Sequence, residues 1–266
     1  MKKILAMIAL MAAGTAMAAP PALSAAEANA IIKRLEKSGA LDRAIDRAME
    51  RYMARQQEAQ RKQEEEALAQ QAALAKNARS PDPVRDHLFG APHADVTIIE
   101  YSDYECPYCK SFHGVPQEVV KRLGGKVNMV WRHLPLDFHN PAALKEAEAS
   151  VCAARVGGND AFWKYTDAVM ARTAGNGKGM PATGGDALLA LAKELQLDPA
   201  SFQKCIETGA SKQQVAEDQG DAANAGVNGT PGVIIRNNKT GQSVVLAGAV
   251  PVDALEAQVR ELLTPQ

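Results

Sequence analysis

The chain has 266 residues, with 30 Lys and Arg against 31 Asp and Glu and a formal charge of −1. That balance excludes the basic footprint by which proteins grip nucleic acid. The length allows one ordinary domain plus an extension.

The first residues carry the three parts of a secretory leader. Lys2 and Lys3 precede an apolar run from Ile4 to Met11, and Ala16-Met17-Ala18 supplies a small-x-small cleavage site. The run is too short to span a bilayer, so cleavage after residue 18 is expected over an uncleaved anchor. Loss of Lys2 and Lys3 takes the formal charge to −3. Export, with a bacterial periplasm as the expected destination, places the four cysteines where disulfides form and persist.

Residues 19–79 read as a helical extension. From Ser24 to about Lys76 the composition is Ala, Glu, Gln, Arg and Lys, with no Pro and one Gly. Ser24 with Glu27 three residues on predicts a capping box, and Gly39 a helix end. A second helix is expected from about Ala40 into the seventies. Leu41, Ile45, Ala48 and Tyr52 form a short heptad-like seam, widened by Met49 and Met53, that fades into the polar run "QQEAQRKQEEE". A lone polar helix cannot bury such a stripe. Self-association through residues 24–76, as a dimer or trimer, is expected over packing on the chain's own domain.

Ser80-Pro81-Asp82-Pro83 marks the boundary to a second domain, 80–266. "VTIIEY" (Val96 to Tyr101) reads as a buried strand. Cys106 to Leu123 reads as a helix kinked at Pro116, and Val127 to His133 as a second strand. A helical block, about 141–226, follows and includes the Gly-rich loop "RTAGNGKGMPATGG". "GVIIRN" and "SVVLAG" read as a hairpin across Asn237 to Gly241, and Pro251 to Leu262 as a final helix. This is an α/β plan with a helical insertion.

The pair in "YSDYECPYCKSF" carries the chemistry. Cys106 falls where a strand gives way to a helix, and a helix N-terminus favours a thiolate. Cys109, one turn on, is placed to resolve a mixed disulfide. Pro107 costs the helix little at its first turn. A structural zinc site needs four ligands, and no second Cys-x-x-Cys exists; His133 and His139 are too loosely placed to complete a set. No metal and no cofactor is therefore expected. The even cysteine count suggests a structural bridge between Cys152 and Cys205, two buried free thiols being the alternative.

"VTIIEYSDYECPYCKSFH" and "GVNGTPGVII", in this order around a helical block, resemble the DsbA-like thioredoxin-fold oxidoreductases. The resemblance covers roughly Asp82 to Leu263. It implies a thioredoxin fold with an inserted helical domain, here preceded by an α-helical N-terminal extension. By the same resemblance Cys106 is the exposed nucleophile and Cys109 the buried resolving thiol. Pro231 is the cis-proline facing them, and Thr230 presents its backbone to a client. Glu100, six residues before Cys106, stands at the family's buried acid, where a carboxylate could move protons and tune the thiols. An edge-strand carboxylate in water is the alternative. Asp103 and Glu105 read as local surface charge opposing a thiolate, and Lys110 as favouring one.

Pro-Tyr between the cysteines differs from the Pro-His of the strongest oxidants, and Thr before Pro is similar to the isomerases. The extension is similar to those of the copper-sensitivity suppressor isomerases and of oligomeric DsbA homologues. The resemblance thus implies exported proteins with thiols or disulfides as substrates, isomerised or oxidised, and a DsbB-like or DsbD-like membrane partner. A thiol-based copper-handling protein is the competing reading, and an oligomeric scaffold with a vestigial redox domain a third.

Overall fold

The structure, a computed structural model, describes residues 23–181 and 185–264; the leader expected at 1–18 lies outside them. Contacts divide the chain into two compact units, one ending at Gln63 and one beginning at Glu64.

In the first unit, Ser24 caps helix α1 (Ala25–Ser38) with the full reciprocal box to Glu27, and Gly39 closes it in the left-handed conformation. Helix α2 (Ala40–Ala75) starts at once. The apolar stripe is open in the single chain: Leu41, Ile45, Met49, Tyr52 and Met53 are all exposed, Ile45 by 51 %.

The second unit is built on a five-stranded sheet. The strands are β1 (His87–Gly90), β2 (Val96–Ser102), β3 (Val127–His133), β4 (Gly232–Asn237) and β5 (Ser243–Ala247), in the order β1-β3-β2-β4-β5. Only β2 and β3 run parallel. Strand β1, four residues long, had no signal in the sequence reading. Strand β2 is buried along its whole length, as its near-continuous apolar run requires of a central strand. Its side chains alternate between faces. Val96 and Ile98 join a core with Phe112, Val119, Met129, Trp131 and Val259. Ile99 and Tyr101 join another with Ala75, Ala78, Val130 and Ala222.

The helix expected over 106–123 is two helices, α3 (Pro107–Phe112) and α4 (Gly114–Leu123), parted at His113. Pro116 causes the break upstream of itself, since it has no N–H for the Phe112 carbonyl. Between β3 and β4 stand α5 (Ala142–Arg172), α6 (Ala187–Glu194), α7 (Pro199–Thr208) and α8 (Lys212–Asn224). Helix α5 contains a non-helical residue, Gly158, at φ 78°. Cys152 on α5 and Cys205 on α7 form a disulfide, with Cα atoms 5.7 Å apart. Helix α9 (Val252–Leu263) ends the described fold.

The second core face holds a buried ionic cluster. Arg132 is fully buried and donates to Asp86 Oδ2 at 2.8 Å and Asp221 Oδ2 at 2.7 Å. Arg79 and Arg85 both reach Asp218 Oδ1, at 3.1 and 3.0 Å. Burial raises the Asp218 pKa, but the His133 ring and Arg85 outweigh it and hold it down to about 2. These pairs lock residues 79–86 onto β3 and α8.

Candidate active site

Strand β2 runs up the centre of the sheet, and a short turn at its end lifts the chain into α3. Asp103 Oδ1 accepts from Glu105 N at 2.8 Å and fixes that turn. Cys106 is the N-cap of α3, with extended backbone, and Pro107 opens the helix. The Cys106 carbonyl accepts the first helical bond, from Lys110 N at 3.0 Å.

The two sulfurs are free thiols in very different settings. The Cys109 thiol, then the neighbouring Thr230 side chain and the backbone N–H groups of Cys109 and Tyr108, together outweigh burial and hold the Cys106 pKa down to about 5. Burial, and then the bond to Cys106, push the Cys109 thiol far up. One sulfur is thus a thiolate at neutral pH and the other a thiol. The exposed nucleophile that the resemblance implied is in fact only 5 % exposed. The segment at Thr230 lies against it, with the Thr230 carbonyl 3.5 Å from Sγ. The Thr230–Pro231 bond is cis. A hollow of about 260 Å³ beside this bond is lined by Val227, Thr230, Pro231, Ala247 and Gly248, among others. Tyr108, between the cysteines, is 69 % exposed.

Glu100 is fully buried on the central strand, which removes the edge-strand alternative. Burial pushes its pKa up to about 7, opposed first by His113 and then by Ser102. Asp103 and Glu105 are also buried, contrary to their reading as surface charge. Asp103 Oδ2 accepts from Leu136 N at 3.0 Å and lies 2.7 Å from His139 Nδ1. Glu105 is wrapped by the Gly-rich loop: Thr173 Oγ1 donates to Oε1, and Gly179 N donates to Oε2 at 3.0 Å. Lys110 is turned to the Thr173 carbonyl, 2.7 Å away. Burial, and then the Glu105 carboxylate, raise Glu146 to about 9, so that it carries a proton at neutral pH.

His113 was absent from the sequence reading. Its place four residues after Cys109 on one helical face was a usable signal. Among the described residues, no group of three or more His, Cys, Asp or Glu is placed to hold a metal ion. No described helix is long and apolar enough to cross a membrane.

A thiol pair at a strand-to-helix junction, facing Thr230–Pro231 across the sheet edge, is matched by a thioredoxin family model over residues 82–254. The chain belongs to the thioredoxin family. Within it the fold is that of the DsbA-like oxidoreductases. DsbA2 from Pseudomonas aeruginosa is 36 % identical, over 70 % of this chain and 97 % of that one, with a TM-score of 0.60. A linker-deletion mutant of Proteus mirabilis ScsC shares the fold over 92 % of this chain and 99 % of its own, at 20 % identity and a TM-score of 0.56. Among curated relatives, the Na+/H+ antiporter NhaA 1 of Salinispora arenicola is 34 % identical over 178 residues. The chain spans about a quarter of the length of that relative.

Proposed function

We propose that the chain is a periplasmic catalyst of thiol–disulfide exchange in exported proteins, with isomerisation or mixed activity favoured over pure oxidation. The observation that carries this is the free thiol pair at the start of α3, with Cys106 as its N-cap and the cis Thr230–Pro231 bond beside it; the setting holds the Cys106 thiol low and pushes that of Cys109 up. The likeness to DsbA2, of which 97 % is covered, supports it.

Cys106 Sγ attacks a client disulfide and forms a mixed disulfide, releasing one client thiolate. Cys109 then attacks Cys106 Sγ, which frees the second client sulfur and leaves Cys106–Cys109 oxidised. The reverse sequence installs a bond. Thr230 and Pro231 offer the edge along which an extended client segment lies, and Glu100 takes or returns the Cys109 proton. The Cys152–Cys205 bridge is structural. A membrane redox partner resets the pair.

Residues 1–18 are the export leader, 19–79 an oligomerisation extension and 80–266 the catalytic domain, with an insert at about 141–226. The exposed stripe from Leu41 to Met53 supports self-association. Residues 20–76 are therefore required for a dimer or trimer, and a deletion variant that stays oligomeric in light scattering would refute this assignment.

The test of activity is Cys106→Ala in insulin-disulfide reduction and in refolding of scrambled ribonuclease. Both activities should vanish. Full activity in the variant would defeat the proposal, and Cys106-dependent copper binding would then favour the metal-handling reading.

A further inference from the structure

Beneath the cysteine pair lies a set of buried polar atoms. Glu100 Oε1 and Oε2, Ser102 Oγ, His113 Nδ1 and Trp131 Nε1 are shielded, and none has a hydrogen-bond partner in the structure. They share one side of the sheet. Glu100 and Ser102 alternate onto the face covered by α3 and α4, and Trp131 is the cross-strand partner of Glu100. The His113 ring stands edge-on to Trp131, with centroids 5.7 Å apart. Buried polar groups in native proteins rarely go unanswered, and a concentration of them beside a thiol pair calls for a role.

The same imidazole reaches outward. Its Nε2 lies 2.7 Å from Asp167 Oδ1 on α5; the His113 side chain is 14 % exposed and that of Asp167 56 %. One ring nitrogen therefore meets an open carboxylate while the other, Nδ1, is shielded and without a partner on the side of Trp131. An imidazole can take a proton on one nitrogen and release it from the other.

We propose that His113, held by Asp167, is the positioning residue that links Glu100 to solvent and carries the proton that Cys109 exchanges during thiol–disulfide exchange. This deepens the function proposed above and rests on it. In reduction, a thiolate of a dithiol attacks Cys106 Sγ, the Cys106–Cys109 bond breaks and its electron pair stays on Cys109. Cys109 takes a proton from Glu100 and Glu100 takes one from His113, each across a bridging water since the groups do not touch directly, and His113 recovers one from solvent at Asp167. In oxidation the proton runs outward: Cys109 gives it to Glu100 as its sulfur attacks Cys106 and the client leaves as a thiolate.

The electrostatics agree. Burial keeps the Cys109 thiol far above the ordinary range, so a thiolate there must be neutralised at once. Glu100, at about 7, is suited to give or take a proton near neutral pH, and the charge of His113 is the largest influence opposing burial on it. The charged groups around the ring are few. Strand β2 contributes Glu100 and α5 contributes Asp167, while Trp131 on β3 is neutral. Lys110 on α3 is turned away to Thr173, and Glu118 on α4 is paired with Arg122 at 3.0 Å.

The test is stopped-flow reduction of the Cys106–Cys109 disulfide by dithiothreitol from pH 5 to 9, corrected for the thiolate fraction of the reagent. Wild type is compared with His113→Gln and Asp167→Asn, and the Glu100 carboxyl is titrated in each by 13C NMR. Loss of the His113 influence that opposes burial disfavours the Glu100 carboxylate. The Glu100 midpoint should shift to higher pH in H113Q, and by less in D167N, while the rate falls across the range in H113Q, and by less in D167N, because the proton has lost its carrier. The Cys106 thiolate titration should stay in place. An H113Q rate profile that superimposes on wild type overturns the proposal, even if the Glu100 titration moves. Asp167 is at the surface, so D167N reads out even if H113Q folds poorly, and an unchanged D167N profile then counts against the linkage. Because the assay uses a small dithiol, it remains decisive if the wild type fails on insulin and ribonuclease, an outcome that would defeat only the protein-exchange reading.

Discussion

The Thr230 carbonyl lies 3.5 Å from the Cys106 sulfur, while the Thr230 hydroxyl is buried without a partner. The two groups act in opposite senses. A carbonyl accepts from a thiol and favours it; a hydroxyl donates to a thiolate and favours that. The side chain is among the influences that lower Cys106 to about 5. Thr230→Val keeps the shape and removes the hydroxyl that the Cys106 thiolate would draw toward itself. The Cys106 pKa should rise, on the order of one unit, since one unit is ~1.4 kcal/mol and a hydrogen bond to a charged group contributes about that much. Thiolate absorbance at 240 nm against pH measures it, and an unmoved midpoint would assign the lowering to Cys109 and the helix N–H groups alone.

Glu100→Gln tests the buried acid. The folded pKa of about 7 lies above the ordinary carboxylate value of 4.5, so the fold disfavours the charged form. That penalty is absent below pH 4.5, grows up to about pH 7 and is constant above. E100Q should therefore be more stable than wild type at pH 8, by up to about 3 kcal/mol, and no more stable at pH 4. Urea unfolding at the two pH values decides this. Disulfide exchange in E100Q should slow at neutral pH, because Cys109 loses its proton partner.

The redox state should set a pH-dependent stability difference. The Cys106 pKa is depressed from 9.0 to about 5 in the folded reduced protein. Its contribution is fully present above pH 9 and is lost as pH falls through 5. The oxidised pair does not titrate, and Glu100 weighs on both forms. Reduced protein should accordingly gain on oxidised protein from pH 5 to 9, by less than ~1.4 kcal/mol per unit because water partly screens the sulfur. Calorimetric Tm values of the two forms at pH 5 and pH 8 test it; a constant gap would mean that the thiolate does not stabilise the fold.

Much of this was legible in the sequence, for local reasons. "VTIIEY" is apolar on both faces, which only a central strand tolerates, and Ser24 with Glu27 and Gly39 carries its own capping chemistry. The turn to Cys106 follows from Pro107 at a helix start. What was hidden depends on residues far apart in the chain. Asp103 and Glu105 look like surface charges until Leu136 and His139, after β3, and Thr173 and Gly179, in the insert, supply partners. Asp167 meets His113 across 54 residues, a contact that no periodicity announces. Strand β1 is too short to show alternation, and its pairing comes from β3 alone.

The bridge in the insert gives another prediction. Cys152 and Cys205 close a loop spanning 53 positions, and cross-linking a chain at that separation restricts mainly the unfolded state. Replacing both with Ala should cost about 3–4 kcal/mol in urea unfolding of the oxidised protein. Thiolate formation at Cys106 should be unchanged, because the bridge joins α5 to α7 whereas Cys106 is set by α3 and Thr230. A shifted Cys106 titration would show instead that the insert tunes the site.

Arg132 offers the severest test of what holds the second core face. It is wholly buried, and Asp86 and Asp221 each accept from it. Arg132→Met fills similar volume but leaves both carboxylates short of a cation. Asp86 keeps Arg79 and Arg85, whereas Asp221 keeps only hydrogen bonds from Tyr101 and the Arg79 N–H. Breaking a buried pair on one side costs about 3–5 kcal/mol, because the remaining charge stays desolvated. Adding Asp221→Asn should recover part of that loss, since the group left unanswered is then neutral. Recovery in the double variant identifies the stranded charge as the cause; a double variant no better than R132M would place the cost in packing.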